Sequence, residues 1–104
     1  VAPTYERTDS FKRDLKSLSP EDRQRVADKL VGEFVHDLSA IEAGTADGFR
    51  RGLRVKPMQG HASIWEVSWA DDGRATFEYG QPVREGMKHI VWRRIGGHEI
   101  FGAP

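Results

Sequence analysis

The sequence predicts an α+β domain: two N-terminal helices packed on one face of a small, twisted antiparallel sheet. Three observations carry that expectation. Apolar and polar residues alternate over 64–69 and again over 74–79, the period of two that marks strands, with Asp71-Asp72-Gly73 as the turn between them. Nearer the N-terminus the period changes. Phe11, Leu15 and Leu18, then Val26, Leu30, Phe34, Leu38 and Ile41, recur at three- and four-residue spacing, as on one face of a helix. A chain of 104 residues, 38% hydrophobic and 31% charged, suits one domain (1–104) with a modest core.

Taken in order, Thr4-Tyr5-Glu6-Arg7 reads as a short edge strand. Thr8-Asp9-Ser10 supplies N-cap candidates for the first helix. Ser19 can cap the second, and Pro20 suits its first position, where the missing N–H costs nothing. That helix is predicted to run to about Glu42 and end near Gly44, with Val31 and Val35 widening its apolar stripe. So little chain separates the two helices that they should form an antiparallel hairpin lying on the sheet. Residues 43–51, with Gly44, Thr45, Asp47 and Gly48, form a loop. Leu53 and Val55 then alternate with Arg54 and Lys56, a short extended segment presenting two cations, and Pro57 argues against a central strand beyond it.

The hairpin that follows turns Trp65, Val67 and Trp69, with Ala75, Phe77 and Tyr79, toward the core, and Gly73 offers a positive φ at its turn. A third run, 88–95, is ended by Gly96-Gly97, and His98-Glu99-Ile100-Phe101 forms a short tail. The order is β-α-α-(β)-β-β-β. The second face of the sheet carries Glu66, Ser68, Arg74 and Thr76.

Composition closes several routes. With no cysteine, neither disulfides nor thiolate metal sites are available, and a reducing cytoplasm fits. His61, His89 and His98 lack ligand spacing, so no metal or cofactor is expected. Val1-Ala2-Pro3-Thr4-Tyr5 lacks the basic and apolar regions of a signal peptide, and no apolar run approaches the ~20 residues of a membrane helix. Net charge is zero but unevenly spread. Seven basic residues face ten acids up to Gly48, and nine face six beyond it, so any polyanion-binding surface is expected in the second half.

FKRDLKSL before a capped helix, LRVKPMQG ahead of IWEVSWADDGRATFEY, and the closing IVWRRIGGHEIF together resemble the RelE/ParE superfamily of bacterial toxins. The resemblance covers nearly the whole chain. It implies a RelE-like fold and a toxin of a type II toxin–antitoxin system. In the RelE branch it implies a ribosome-dependent mRNA endoribonuclease; in the ParE branch, a DNA gyrase inhibitor. A non-catalytic member that only binds its antitoxin is a third reading. The partners implied are an antitoxin, the ribosome and mRNA, with no membrane.

Metal-independent phosphodiester cleavage, leaving a 2′,3′-cyclic phosphate, requires two proton-moving groups and a cation at the phosphate. Arg74 lies where the resemblance places a phosphate-stabilising arginine, and a guanidinium binds phosphate oxygens bidentately. Its alternative is a cross-strand ion pair with Glu66 or Glu78, on a solvent-facing side chain. His98 takes the place of a terminal histidine or arginine and can act as general acid. Glu66 is the partner, as base or as orienter of Arg74. Arg54 and Lys56 match basic residues that hold RNA. Arg94, in preference to Arg93, is assigned to the polar face, and Phe101 matches a base-stacking aromatic. The apolar faces and the cations of this chain call for an acidic, amphipathic antitoxin segment that folds on binding as a helix in a groove or as an added strand. The strand near Thr4 and the grooves beside helix 26–41 are its expected seats, together with coverage of Arg54, Lys56 and Arg74.

Overall fold

The computed structural model describes residues 3–104. Val1 and Ala2, part of the segment read as carrying no signal peptide, lie outside them. Five strands form one sheet in the order β1-β5-β4-β3-β2: β1 Thr4–Arg7, β2 Lys56–Pro57, β3 Trp65–Ser68, β4 Arg74–Tyr79 and β5 His89–Gly96. The helical layer is α1 Asp9–Ser17, then α2 Pro20–Val26 and α3 Val35–Glu42, joined without a break through a π-helical stretch, Ala27–Phe34. The α+β class and RelE-like layout expected from the sequence are the ones observed. One strand pair departs from the antiparallel expectation, since β1 runs parallel to β5. No hairpin joins these two; helices and three strands intervene, so nothing imposes antiparallel pairing. Among the described residues, no helix is long and apolar enough to cross a membrane.

The helix starts follow their caps. Thr8 Oγ1 accepts the Phe11 N–H at 3.1 Å and Ser19 Oγ accepts that of Asp22 at 3.1 Å, with Pro20 in the first turn. Val26, Leu30, Phe34 and Leu38 are all buried, at strict four-residue spacing. On a regular α-helix such a row drifts roughly 40° per step. The wider π turn reduces that drift and keeps the row facing the sheet. The same unwinding carries Val31 outward to 71% exposure, so it does not widen the core stripe as the sequence suggested.

The core is centred on Phe34. Its ring stacks on Phe49 at 5.0 Å and meets Phe77 and Trp92 edge-on at 5.1 and 5.2 Å. Gly73 serves the hairpin in an unexpected way. It has no positive φ; instead a Cβ there would lie 2.6 Å from the Trp69 ring, which packs over the turn and donates from Nε1 to the Arg74 carbonyl at 3.0 Å. The segment ahead of the hairpin is not a strand through Leu53 and Val55. Arg51–Leu53 is a 3-10 turn, Arg54 follows with φ 47° and ψ 47°, and only Lys56–Pro57 pairs with β3.

Candidate active site

The second face of the sheet is not open. After β5 the chain turns through a 3-10 helix, His98–Gly102, and folds back over it. Ile100 is buried, and the Pro104 backbone oxygen accepts from Thr76 Oγ1 at 3.2 Å and from Arg93 Nε at 3.1 Å. Thr76 is fully buried beneath this return. The candidate residues therefore fall into separate groups.

One group gathers where the β3–β4 turn meets the end of β5, because Arg74 is the register partner of Gly96. Arg74 is only 7% exposed, contrary to its expected solvent-facing place. Its Nη1 donates to the carbonyls of Gly73, Asp71 and Ala70 at 2.9, 3.0 and 3.2 Å, so the guanidinium pins its own turn. No carboxylate pairs with it among the described residues: Glu66 goes to Lys56 at 3.9 Å and Glu78 to Arg93 at 3.1 Å. Its Nε and Nη2 make no hydrogen bond among the described residues, and neither is wholly shut off from solvent. The turn held by Arg74 carries Asp72, whose carboxylate accepts from His98 Nδ1. That contact leaves imidazole Nε2 free at an exposed rim. The Phe101 ring stands edge-on to His98, with centroids 5.5 Å apart.

A second group is Glu66 with Lys56, paired across β3 and β2. Glu66 lies two residues along β3 from Ser68, the partner of Arg74, or about 7 Å away. It does not orient Arg74. Arg54 sits apart, exposed, on its left-handed backbone.

Arg94 lies on the assigned face, as the register partner of Thr76, but its guanidinium is engaged there. It donates from Nε and Nη2 to Asp14 of α1 at 2.6 and 3.2 Å and from Nη1 to the Ala103 carbonyl at 2.9 Å. The Asp14 carboxylate beside it, with Glu99 farther off, holds its pKa above the ordinary guanidinium value. A β-bulge brings Arg93 to the same face. Thr76 pairs with Arg94 but Phe77 with Trp92, so Arg93 is left unmatched and strict alternation fails there. Arg93, not Arg94, reaches Glu78.

Sequence reasoning missed Asp72, read only as a turn residue. Its pairing with His98 spans 26 positions and depends on the β4–β5 register. Among the described residues, no three His, Asp or Glu side chains gather as metal ligands would. The buried guanidinium carries a prediction. Arg74→Ala leaves three turn carbonyls without their donor and should cost about 1–2 kcal/mol in urea unfolding, where a solvent-facing side chain would cost almost nothing. A variant as stable as wild type would show that the turn does not depend on Arg74.

No family model matches this chain, and no curated protein matches it. It is similar to several solved structures. A chain of the RelBE2 toxin–antitoxin complex from Mycobacterium tuberculosis superposes with a TM-score of 0.64 at 17% identity, covering 94% of this chain and 100% of that one. For the Escherichia coli DinJ-YafQ toxin–antitoxin complex the values are 0.56, 14%, 95% and 96%. For a mutant toxin from Helicobacter pylori they are 0.57, 11%, 93% and 96%. These chains share this fold from end to end.

Proposed function

We propose that this protein is the toxin of a toxin–antitoxin pair and that it cleaves mRNA on the ribosome, in the cytoplasm. The observation that carries the reading is the His98–Asp72 pair. An exposed imidazole has one nitrogen fixed by a carboxylate and the other free, with an aromatic ring beside it. The shared fold with chains from toxin–antitoxin complexes supports the class.

The reaction is a transesterification run on side chains. The ribose 2′-oxygen loses its proton and bonds to phosphorus, the bond from phosphorus to the 5′-oxygen breaks, and that oxygen takes a proton. The products are a 2′,3′-cyclic phosphate and a 5′-hydroxyl. His98 Nε2 is the proton donor, and Asp72 positions it by holding Nδ1. Arg74 offers Nε and Nη2 to the phosphate from a guanidinium already immobilised by its turn, so little reorganisation is needed as charge develops. Glu66, paired with Lys56, is assigned the 2′-proton. Lys56 and Arg54 meet the RNA backbone, and Phe101 stacks on a base. Arg94 is assigned a supporting role, tying α1 and the returning chain to β5.

The direct test is primer extension on mRNA from programmed ribosomes incubated with purified protein. Cleavage at defined positions, with cyclic phosphate ends, is the expected result. Intact mRNA in the presence of folded protein would remove the nuclease reading. A gyrase supercoiling assay on the same preparation then tests the other branch.

A further inference from the structure

The His98–Asp72 contact joins two exposed side chains, 54% and 81% open to solvent. Exposed pairs of this kind are weak and must order two side chains to form. A fixed imidazole therefore needs its backbone held on both sides of the pair. On the Asp72 side the turn is pinned by Arg74. On the His98 side the adjoining groups are Gly96, Gly97 and Glu99, none of which has a part in the reaction proposed above.

His98 opens the 3-10 helix, and Gly97 precedes it as a cap residue without a side chain. Glu99 makes the contact that Gly97 cannot. Its Oε1 accepts the Gly97 N–H at 3.0 Å, and the Gly97 carbonyl accepts the Ile100 N–H at 3.3 Å. Ile100 is buried, so the helix start is tied to the core through it. The missing side chain matters as much. A Cβ at Gly97 would lie 2.5 Å from Glu99 Oε2 and 3.0 Å from Asp72 Oδ2. Both carboxylates thus occupy the space that a side chain at Gly97 would take. The backbone there is extended, with φ −95° and ψ −163°, so glycine is needed for room and not for conformation. A Cβ at Gly96 would likewise meet Glu99 Oε1 at 2.9 Å.

We infer that Gly97 and Glu99 are positioning residues for His98. Glu99 fixes the start of the helix that carries the imidazole, and the gap at Gly97 lets the Asp72 carboxylate reach Nδ1. The inference rests on the nuclease reading for its effect on rate, whereas the setting of the ring is a property of the free protein.

Gly97→Ala displaces only the ends of two flexible side chains, so the variant should fold and melt like wild type. In wild type the Asp72 carboxylate selects the neutral tautomer with its proton on Nδ1. Ring nitrogen resonances of the isotope-labelled protein read that tautomer directly, and His98→Ala identifies the signals. Gly97→Ala and Glu99→Ala should both replace it with the tautomer mixture of a free imidazole. Both should also slow single-turnover cleavage on saturating ribosomes by about 10–100-fold, with the half-saturating concentration unchanged. Glu99→Gln keeps an acceptor oxygen for the Gly97 amide and should restore the tautomer and most of the rate. Gly102→Ala, in the same helix but with nothing within 4 Å of the added Cβ, should change neither. A wild-type ring without the Nδ1–H tautomer, its persistence in Gly97→Ala and Glu99→Ala, or a Glu99→Gln as damaging as Glu99→Ala would overturn the inference. The resonances are read without ribosome or RNA. A wild-type protein that fails to cleave therefore removes the nuclease reading and leaves the tautomer result to decide the positioning.

Discussion

His98→Ala should slow single-turnover cleavage of mRNA on programmed ribosomes by about 10²–10⁴-fold, the usual worth of a positioned general acid. Its melting curve should overlay that of wild type, because the side chain is half exposed and its one polar partner, Asp72, is itself at the surface. Asp72→Asn tests the positioning role separately. An asparagine can still touch the ring but offers no carboxylate to the imidazolium. The rate should fall by less than in His98→Ala. Arg74→Lys separates a third contribution, keeping the charge while losing the fork that grips the turn and faces the phosphate. If His98→Ala cleaves like wild type, the imidazole has no part in the chemistry. If Asp72→Asn cleaves as fast as wild type, the carboxylate does not position the imidazole.

The parts of this molecule that were legible in the sequence are those set by local chemistry. Thr8, Ser19 and Pro20 announce helix starts because their capping needs no distant partner. The alternation in β3 and β4 fixes which face meets the helices, and the short connection fixes their pairing. What stayed hidden depends on residues far apart in the chain. The bulge at Arg93 exists only once β5 is laid against β4, and it brings Arg93 as well as Arg94 to the face of Thr76, where strict alternation allows only one of them. Arg74 alternates like an exposed residue, but its long side chain curls back to three carbonyls that the turn happens to aim at it. The cover over Thr76 comes from residues 28 positions later. Charge counted by halves of the sequence also misled. Among the described residues, Glu6, Asp14, Asp22, Glu33 and Asp37 of that half are held in ion pairs, so its net charge does not describe its surface.

Asp37→Ala should be among the most destabilising polar substitutions in this chain, at about 3 kcal/mol, and most of its effect should be lost in acid. Asp37 is buried on α3 and accepts from the Arg50 backbone N–H at 2.9 Å and from its Nε and Nη2 at 2.9 and 2.8 Å. The contacts clamp the helical layer to the segment that leads through Arg51–Leu53 to Arg54 and Lys56. Removing the carboxylate strands a backbone donor as well as a cation. The cost stays at the lower end of the range for broken buried pairs, because Arg50 is half exposed and water can take it back. The Arg50 hydrogen bonds pull the Asp37 pKa down from 3.8 to about 2, against the opposing effect of burial. A depressed carboxylate stabilises the fold fully above its unfolded pKa and loses that contribution as pH falls through the folded one. Here the window runs from about pH 4 down to about pH 2, and the contribution lost is about 2 kcal/mol. Urea unfolding of wild type and Asp37→Asn across that range is the measurement. The asparagine keeps an acceptor for the Arg50 amide, so the gap between the two proteins isolates the charge. It should be about 2 kcal/mol at neutral pH and close toward zero near pH 2. A gap that stays constant down to pH 2 would mean that Asp37 contributes through packing, and that the clamp holds without its charge.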